Sequence, residues 1–248
     1  MKFDDQEIQS IGDLISILKS NLDGYTGPVW YRGQARDTWH LEPKLLRRTP
    51  IPSESHLLNR FKQDASFILD RLPKSNFDWL FLMQHYAIPT RLLDWTESPL
   101  VGLYFSILSE PDNDGAIWVL CPTVLNKKSN FRPEFENEIP SFEDEHLQNY
   151  LPETIAHESK SKLFPMAAIA PRNSPRMQAQ LGVFTISHRE NVYIENVGAE
   201  GAPRDHIWRY IIPKDYKPSI LEELRLLGYN RFHLFPELEN IGEQILGG

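Results

Sequence analysis

Cysteine is almost absent. Cys121 is the only one in 248 residues, which excludes an intrachain disulfide, a cysteine-based zinc cage and a secretory disulfide framework, and fits a reducing compartment. Basic charge is in deficit, with 26 Lys and Arg against 34 Asp and Glu and a formal net charge of −8. A sequence-blind grip on nucleic acid over a wide face needs a basic stripe and is therefore excluded, although a local basic cleft is not. No uninterrupted apolar run is long enough to cross a bilayer, and the opening MKFDDQEIQS lacks the apolar core of a signal peptide. The expectation is a soluble, cytoplasmic protein with no membrane partner. Thirteen glycines against nineteen prolines suggest fixed loops rather than flexible linkers. Also missing are a GxxxxGK phosphate loop, a GxGxxG after a strand, HExxH and GxSxG. The eight histidines are scattered without metal-ligand spacing, so no metal site is expected.

What is present is polar chemistry inside an apolar block. In Gln84 to Phe105, QHYAIPTRLLDWTESPLVGLYF, the side chains of His85, Arg91, Asp94 and Thr96 sit among residues that read as core. Two readings stand side by side: an internal Arg91–Asp94 ion pair with a satisfied histidine, or the lining of a pocket, which is mostly apolar with a few convergent polar groups.

Periodicity organises the rest. Ile8, Ile11, Ile15, Leu18 and Leu22 form one helical face, closed by Gly24, Gly27 and Pro28. Further helices are expected from Leu57 to Ile68, from Phe77 to Tyr86 ahead of Pro89, and after Ser98, with Pro99 at its first position. Ser219 and Glu222 suggest a capping box for a helix through Leu227, with Gly228 as its stop. Strands are expected at 28–33, 92–95, 116–120, 166–170, 181–187 and 206–212. The interleaving is irregular, which predicts an α+β fold: one domain over 1–248 with a central mixed or antiparallel sheet flanked by helices. Residues 1–27 read as a helical lead-in. Residues 125–162, with Glu134, Glu136, Glu138, Glu143, Asp144 and Glu145, read as a solvated polar insertion or, alternatively, an acidic docking face.

Three short arrangements carry candidate chemistry. Arg32 ends a strand beside Gly33, a residue that would let a ligand approach the backbone, and its rigid fork suits phosphate or carboxylate. Thr90 to Thr96 runs into a capped helix whose N-terminus offers free N–H groups. Arg176 to Phe184 reads as a strand with Gln178 and Gln180 on one face. Arg32, Arg36, Lys44, Arg47 and Arg48 make a basic cluster that reads as either a phosphate site or a solvated loop face.

YRGQ, MQHYAIPTRLLDWTESPLVGLYFS, RMQAQLGVFTI and ILEELRLLGYNRFHLFPELE together resemble the FRG domain, a prokaryotic and phage-associated family in which Tyr31-Arg32-Gly33 stands for the naming Phe-Arg-Gly. The likeness runs from about Tyr31 to about Glu239. In the order of its elements the chain is also similar to the ADP-ribosyltransferases. That resemblance implies an ADP-ribosyltransferase-like fold with NAD as co-substrate. It implies a binding set of Arg32, Gly33, Gln34, His85, Tyr86, Arg91 and Trp95, and a catalytic set of Gln178, Gln180, Thr96 and Asp94. Gln180 stands where those enzymes usually carry a glutamate, so Asp94 or another carboxylate would have to supply the negative charge. The expected activity is NAD-dependent ADP-ribosyl transfer or NAD glycohydrolysis, on a nucleic acid or protein acceptor, in a toxin or phage-defence setting. The alternatives are a non-catalytic module that binds a nucleotide or nucleic acid, and hydrolysis or nuclease action through Asp94 and His85.

Overall fold

Serine hydroxyls start most of the longer helices. In the computed structural model, which describes residues 1–129, 138–157, 163–189, 192–198 and 203–245, β1 (Gln6–Glu7) leads to α1 (Ile11–Asn21), where Ser10 Oγ accepts from the Asp13 N–H at 3.1 Å. After β2 (Trp30–Gln34) come α2 (Glu54–Ala65) and α3 (Asn76–His85). Helix α3 begins with a reciprocal capping box between Ser75 and Asp78. Then follow β3 (Leu92–Thr96) and α4 (Pro99–Ile107), whose Ser98 cap and Pro99 first residue match expectation. The chain continues through β4 (Gly115–Leu120), α5 (Pro122–Lys128), α6 (Pro152–His157), β5 (Met166–Ala168), α7 (Pro175–Ala179), β6 (Gly182–Ile186) and β7 (Ile207–Ile212). It closes with α8 (Lys217–Leu226), α9 (Arg231–Leu234) and α10 (Ile241–Ile245).

The strands form one mixed sheet in the order β1-β7-β4-β2-β3-β6-β5, antiparallel except for the β1–β7 pair. The α+β expectation holds, and the strands expected at 28–33, 92–95, 116–120, 166–170, 181–187 and 206–212 are each present within two residues of their bounds. On one face of the sheet, α1, α4 and α8 cover β7, β4 and β2 through Leu14, Leu103, Ile117, Tyr210 and Leu224. On the same face, α2 and α3 cover β3, β6 and β5 through Leu58, Leu80, Met83, Leu92, Phe184 and Ile186. The other face buries Trp30, Leu93, Trp95, Trp118 and Val183 beneath Leu41, Leu125 and Ile194. Among the described residues no helix is long and apolar enough to cross a membrane.

Two expectations need correction, and one gains an element. Residues 1–27 hold the expected helix, α1, with Ile11, Leu14 and Leu18 buried, and also supply β1, which extends the sheet along β7. The 125–162 stretch is more than a solvated insertion, because Leu125, Phe142, Leu147, Tyr150, Leu151 and Ile155 are core residues; Glu134 and Glu136 lie outside the described residues. The Ser219 capping box does not form: α8 begins three residues earlier, with Tyr216 at the cap, and Ser219 Oγ donates instead to the Tyr216 carbonyl at 2.9 Å. Pro218, at the start of the helix, moves the boundary back.

Candidate functional site

Where the two helical layers part, a cleft of about 790 Å³ opens over β2, β3 and β6. Phe81 and Leu82 of α3, Phe105 of α4, Met177 of α7 and Phe184 of β6 give it apolar walls, and Arg32, Asp94, His85 and Arg176 bring polar groups into it. A cavity of this size and mixture suits a small-molecule ligand.

The cleft exists because β2 and β3 separate. They register through the single pair Tyr31↔Thr96, whereas β2 and β4 register through five pairs. Next to that pair the Arg32 Nη1 donates to the Asp94 carbonyl at 2.6 Å, while its buried Nε has no hydrogen-bond partner among the described residues. Burial drives the Arg32 pKa down to about 10, opposed by Asp94 and reinforced by Arg47. The group stays charged at neutral pH and would gain from an anionic ligand. Asp94 alternates toward the cleft, is exposed, and its carboxylate accepts no hydrogen bond among the described residues.

The turns that follow the three wall helices each use a non-glycine residue in the left-handed region. Ala87 (φ 60°) follows α3, Glu110 (φ 55°) follows α4 and Leu181 (φ 47°) follows α7, in contrast to Gly228 (φ 85°) after α8. Such residues carry roughly 1–2 kcal/mol of backbone strain and recur at ligand sites. The turn at Leu181 points the Gln180 carbonyl at Thr96, whose Oγ1 donates to it at 2.6 Å.

The expected residues divide. Arg32, Gly33, His85, Tyr86, Asp94, Trp95, Thr96 and Gln180 line the cleft, whereas Gln34, Arg91 and Gln178 do not. Gln34 is buried, accepting from Trp118 Nε1 at 2.8 Å and donating to the His40 carbonyl at 3.1 Å. Arg91 does not pair with Asp94. Its Nε donates to Glu54 Oε2 and its backbone N–H donates to Glu54 Oε1 at 3.0 Å, within the core. Gln178 and Gln180 do not share a strand: Gln178 lies in α7 and Gln180 caps it. The Gln180 amide donates to the Leu234 carbonyl at 2.9 Å. The strand is shortened because Ser174 caps α7 with Pro175 at its first turn, the same signal that marks α4 at Ser98 and Pro99.

Other roles shift from ligand to scaffold. A Cβ on Gly33 would stand 2.0 Å from the Gly102 carbonyl and 2.4 Å from the Ser106 nitrogen, so this glycine admits α4 rather than a ligand. Thr96 spends its hydroxyl on the Gln180 carbonyl and on the Ser98 N–H at 3.0 Å. The Trp95 indole is buried and donates to Thr185 Oγ1 at 3.0 Å. Tyr86, in contrast, is 60% exposed at the mouth, with His85 edge-on at 4.9 Å. The basic cluster disperses: Arg36 pairs with Glu110, Lys44 donates to the Ala87 carbonyl, and Arg47 to the Glu42 carbonyl. Sequence reasoning missed Glu54, Arg71, Lys74 and Arg176. The last of these stood in the RMQAQLGVF stretch without an assigned role.

Residues 27–115 match the family model described as the FRG domain. The match spans β2, α2, α3, β3 and α4, and so supplies Arg32, His85, Asp94 and two walls of the cleft, whereas α7, β6 and α9 lie beyond it. No curated protein and no solved structure matches the chain.

Proposed function

The chain carries an FRG domain, and from that premise we propose that its cleft binds a nucleotide, NAD in the first instance, and cleaves the bond between nicotinamide and ribose as an ADP-ribosyltransferase-like enzyme. The observation that carries this reading is that the cleft brings together, across the split between β2 and β3, a desolvated Arg32 guanidinium bonded to the Asp94 backbone carbonyl and the exposed Asp94 carboxylate, which accepts no hydrogen bond among the described residues. Arg32 would hold phosphate, since its fork is rigid and its Nε has no hydrogen-bond partner among the described residues. Tyr86 and the phenylalanine walls offer flat apolar surface to a base or to nicotinamide.

Asp94 takes over the electrostatic role first assigned to position 180. When the C1′–N bond breaks, its electron pair leaves with nicotinamide and positive charge develops on the ribose, where a fixed carboxylate lowers the barrier. The acceptor oxygen or nitrogen then bonds to C1′ and gives up its proton. His85, which lines the cleft from α3, would receive it. Water as acceptor gives glycohydrolysis; a hydroxyl or amine of nucleic acid or protein gives transfer, in the toxin or phage-defence setting that the family resemblance suggests.

A binding module without turnover is the second reading, favoured by the commitment of both the Gln180 amide and the Thr96 hydroxyl to backbone partners. Nicotinamide release and label transfer from NAD, with oligonucleotide and protein acceptors, separate the two. The enzyme reading expects release by the wild type and a loss of about a hundredfold or more in Asp94→Asn at unchanged melting temperature. Binding of NAD without release by the wild type would leave the module.

A further inference from the structure

We propose that the α7 wall of the cleft holds an anion subsite, in which Arg176, oriented by Phe235, binds the diphosphate of the nucleotide; the proposal rests on the nucleotide reading above. Arg176 lines the cleft, and its Cζ stands 4.6 Å from the centre of the Phe235 ring. Among the described residues its guanidinium forms no ion pair or hydrogen bond. A guanidinium held over an aromatic ring is restrained on that side and keeps its N–H fork for a phosphate or diphosphate.

The ring that sets it is itself held. Arg231 lies over Phe235 at 5.7 Å, Phe105 meets it edge-on at 5.8 Å, and the Phe235 N–H donates to the Arg231 carbonyl at 2.8 Å. The Gln180 amide, bonded to the Leu234 carbonyl at 2.9 Å, ties α9 to the end of α7. Position 180 therefore fastens the wall that carries Arg176, and Phe235 is a positioning residue.

Local charge agrees. In a chain of net charge −8, the cleft is lined by four cations, Arg32, Arg71, Lys74 and Arg176, against three carboxylates, Asp78, Asp94 and Glu143. One of those, Asp78, is engaged by the Lys74 and Ser75 N–H groups at 3.2 and 3.0 Å. The surplus is positive, and two of its three arginines stand on separate elements of the lining, Arg32 on β2 and Arg176 on α7. A ligand that satisfies both carries more than one negative charge.

The test is calorimetric titration of ADP-ribose, inorganic pyrophosphate and nicotinamide riboside into the wild type, Arg176→Ala, Arg176→Lys and Phe235→Leu, with melting temperatures measured in parallel. Losing one charge-assisted contact should weaken ADP-ribose and pyrophosphate about 30-fold in Arg176→Ala while leaving the phosphate-free riboside within about twofold. Arg176→Lys should recover part of the loss, and Phe235→Leu should weaken only the diphosphates. If Arg176→Ala binds ADP-ribose as tightly as the wild type, the subsite is wrong and the nucleotide reading stands. If the wild type binds pyrophosphate but not ADP-ribose, and Arg176→Ala loses it, the subsite stands and the nucleotide reading falls. If the wild type binds neither, both fall.

Discussion

Removing Glu54 should unfold a large part of what positions the cleft, although Glu54 lies outside it. Its carboxylate is buried and accepts both the Arg91 Nε and the Arg91 backbone N–H, immediately before β3. Glu54→Ala leaves a guanidinium in the core without its countercharge, a change that costs roughly 3–5 kcal/mol. The orphaned N–H adds about 1–3 kcal/mol. Among the described residues Arg91 Nη1 already lacks a hydrogen-bond partner, so little slack remains to absorb the loss. Against a typical total of about 5–15 kcal/mol, a combined loss of roughly 4–8 kcal/mol lowers the melting temperature of a chain this size by at least about 10 °C. Urea titrations of Glu54→Ala, Arg91→Met and the Glu54→Met/Arg91→Met double variant would read it. The double variant should lose less than the two single losses combined, because an apolar pair leaves no buried charge. Asp94→Asn, at an exposed carboxylate, should be near neutral. A loss below about 1 kcal/mol in Glu54→Ala would refute the reasoning from burial.

Gly33→Ala should cost at least about 1–3 kcal/mol by driving a methyl into the α4 backbone, measured by denaturant midpoint. Ala87→Gly should raise stability by about 1 kcal/mol, because the left-handed strain at φ 60° disappears. His206 is buried with its Nε2 donating to the Ile194 carbonyl at 2.9 Å, and burial lowers its pKa from 6.5 to about 4. The unfolded chain binds its proton first, so this contribution is whole above pH 6.5 and is lost as pH falls to 4, by about 3 kcal/mol. In His206→Gln that part of the pH slope should vanish from stability profiles between pH 4 and 7.

The sheet was largely legible in the sequence because its strands are short apolar runs bounded by turn residues. Two-residue β1 was not, since Gln6 and Glu7 are exposed and their pairing with β7 depends on a partner some 200 residues away. The site was legible in outline through Arg32, Asp94 and His85, but not in its bonding. Asp94 sits three positions from Arg91 and looked like its partner, yet on a strand that spacing puts the two on opposite faces. Glu54, 37 residues earlier, reaches Arg91 through the packing of α2. Alternation favoured a strand through Gln178 and Gln180; the Ser174-Pro175 start signal was the local feature that should have outweighed it. Gly33 and Thr96 read as ligand contacts because sequence does not reveal that α4 presses on one and the Gln180 turn on the other.

The most direct test is a crystal structure of the wild type saturated with ADP-ribose. The account predicts diphosphate density against Arg32 and Arg176, with the terminal ribose facing Asp94. Density for the ligand on the opposite face of the sheet, or anywhere that leaves Arg32 and Asp94 untouched, would contradict it.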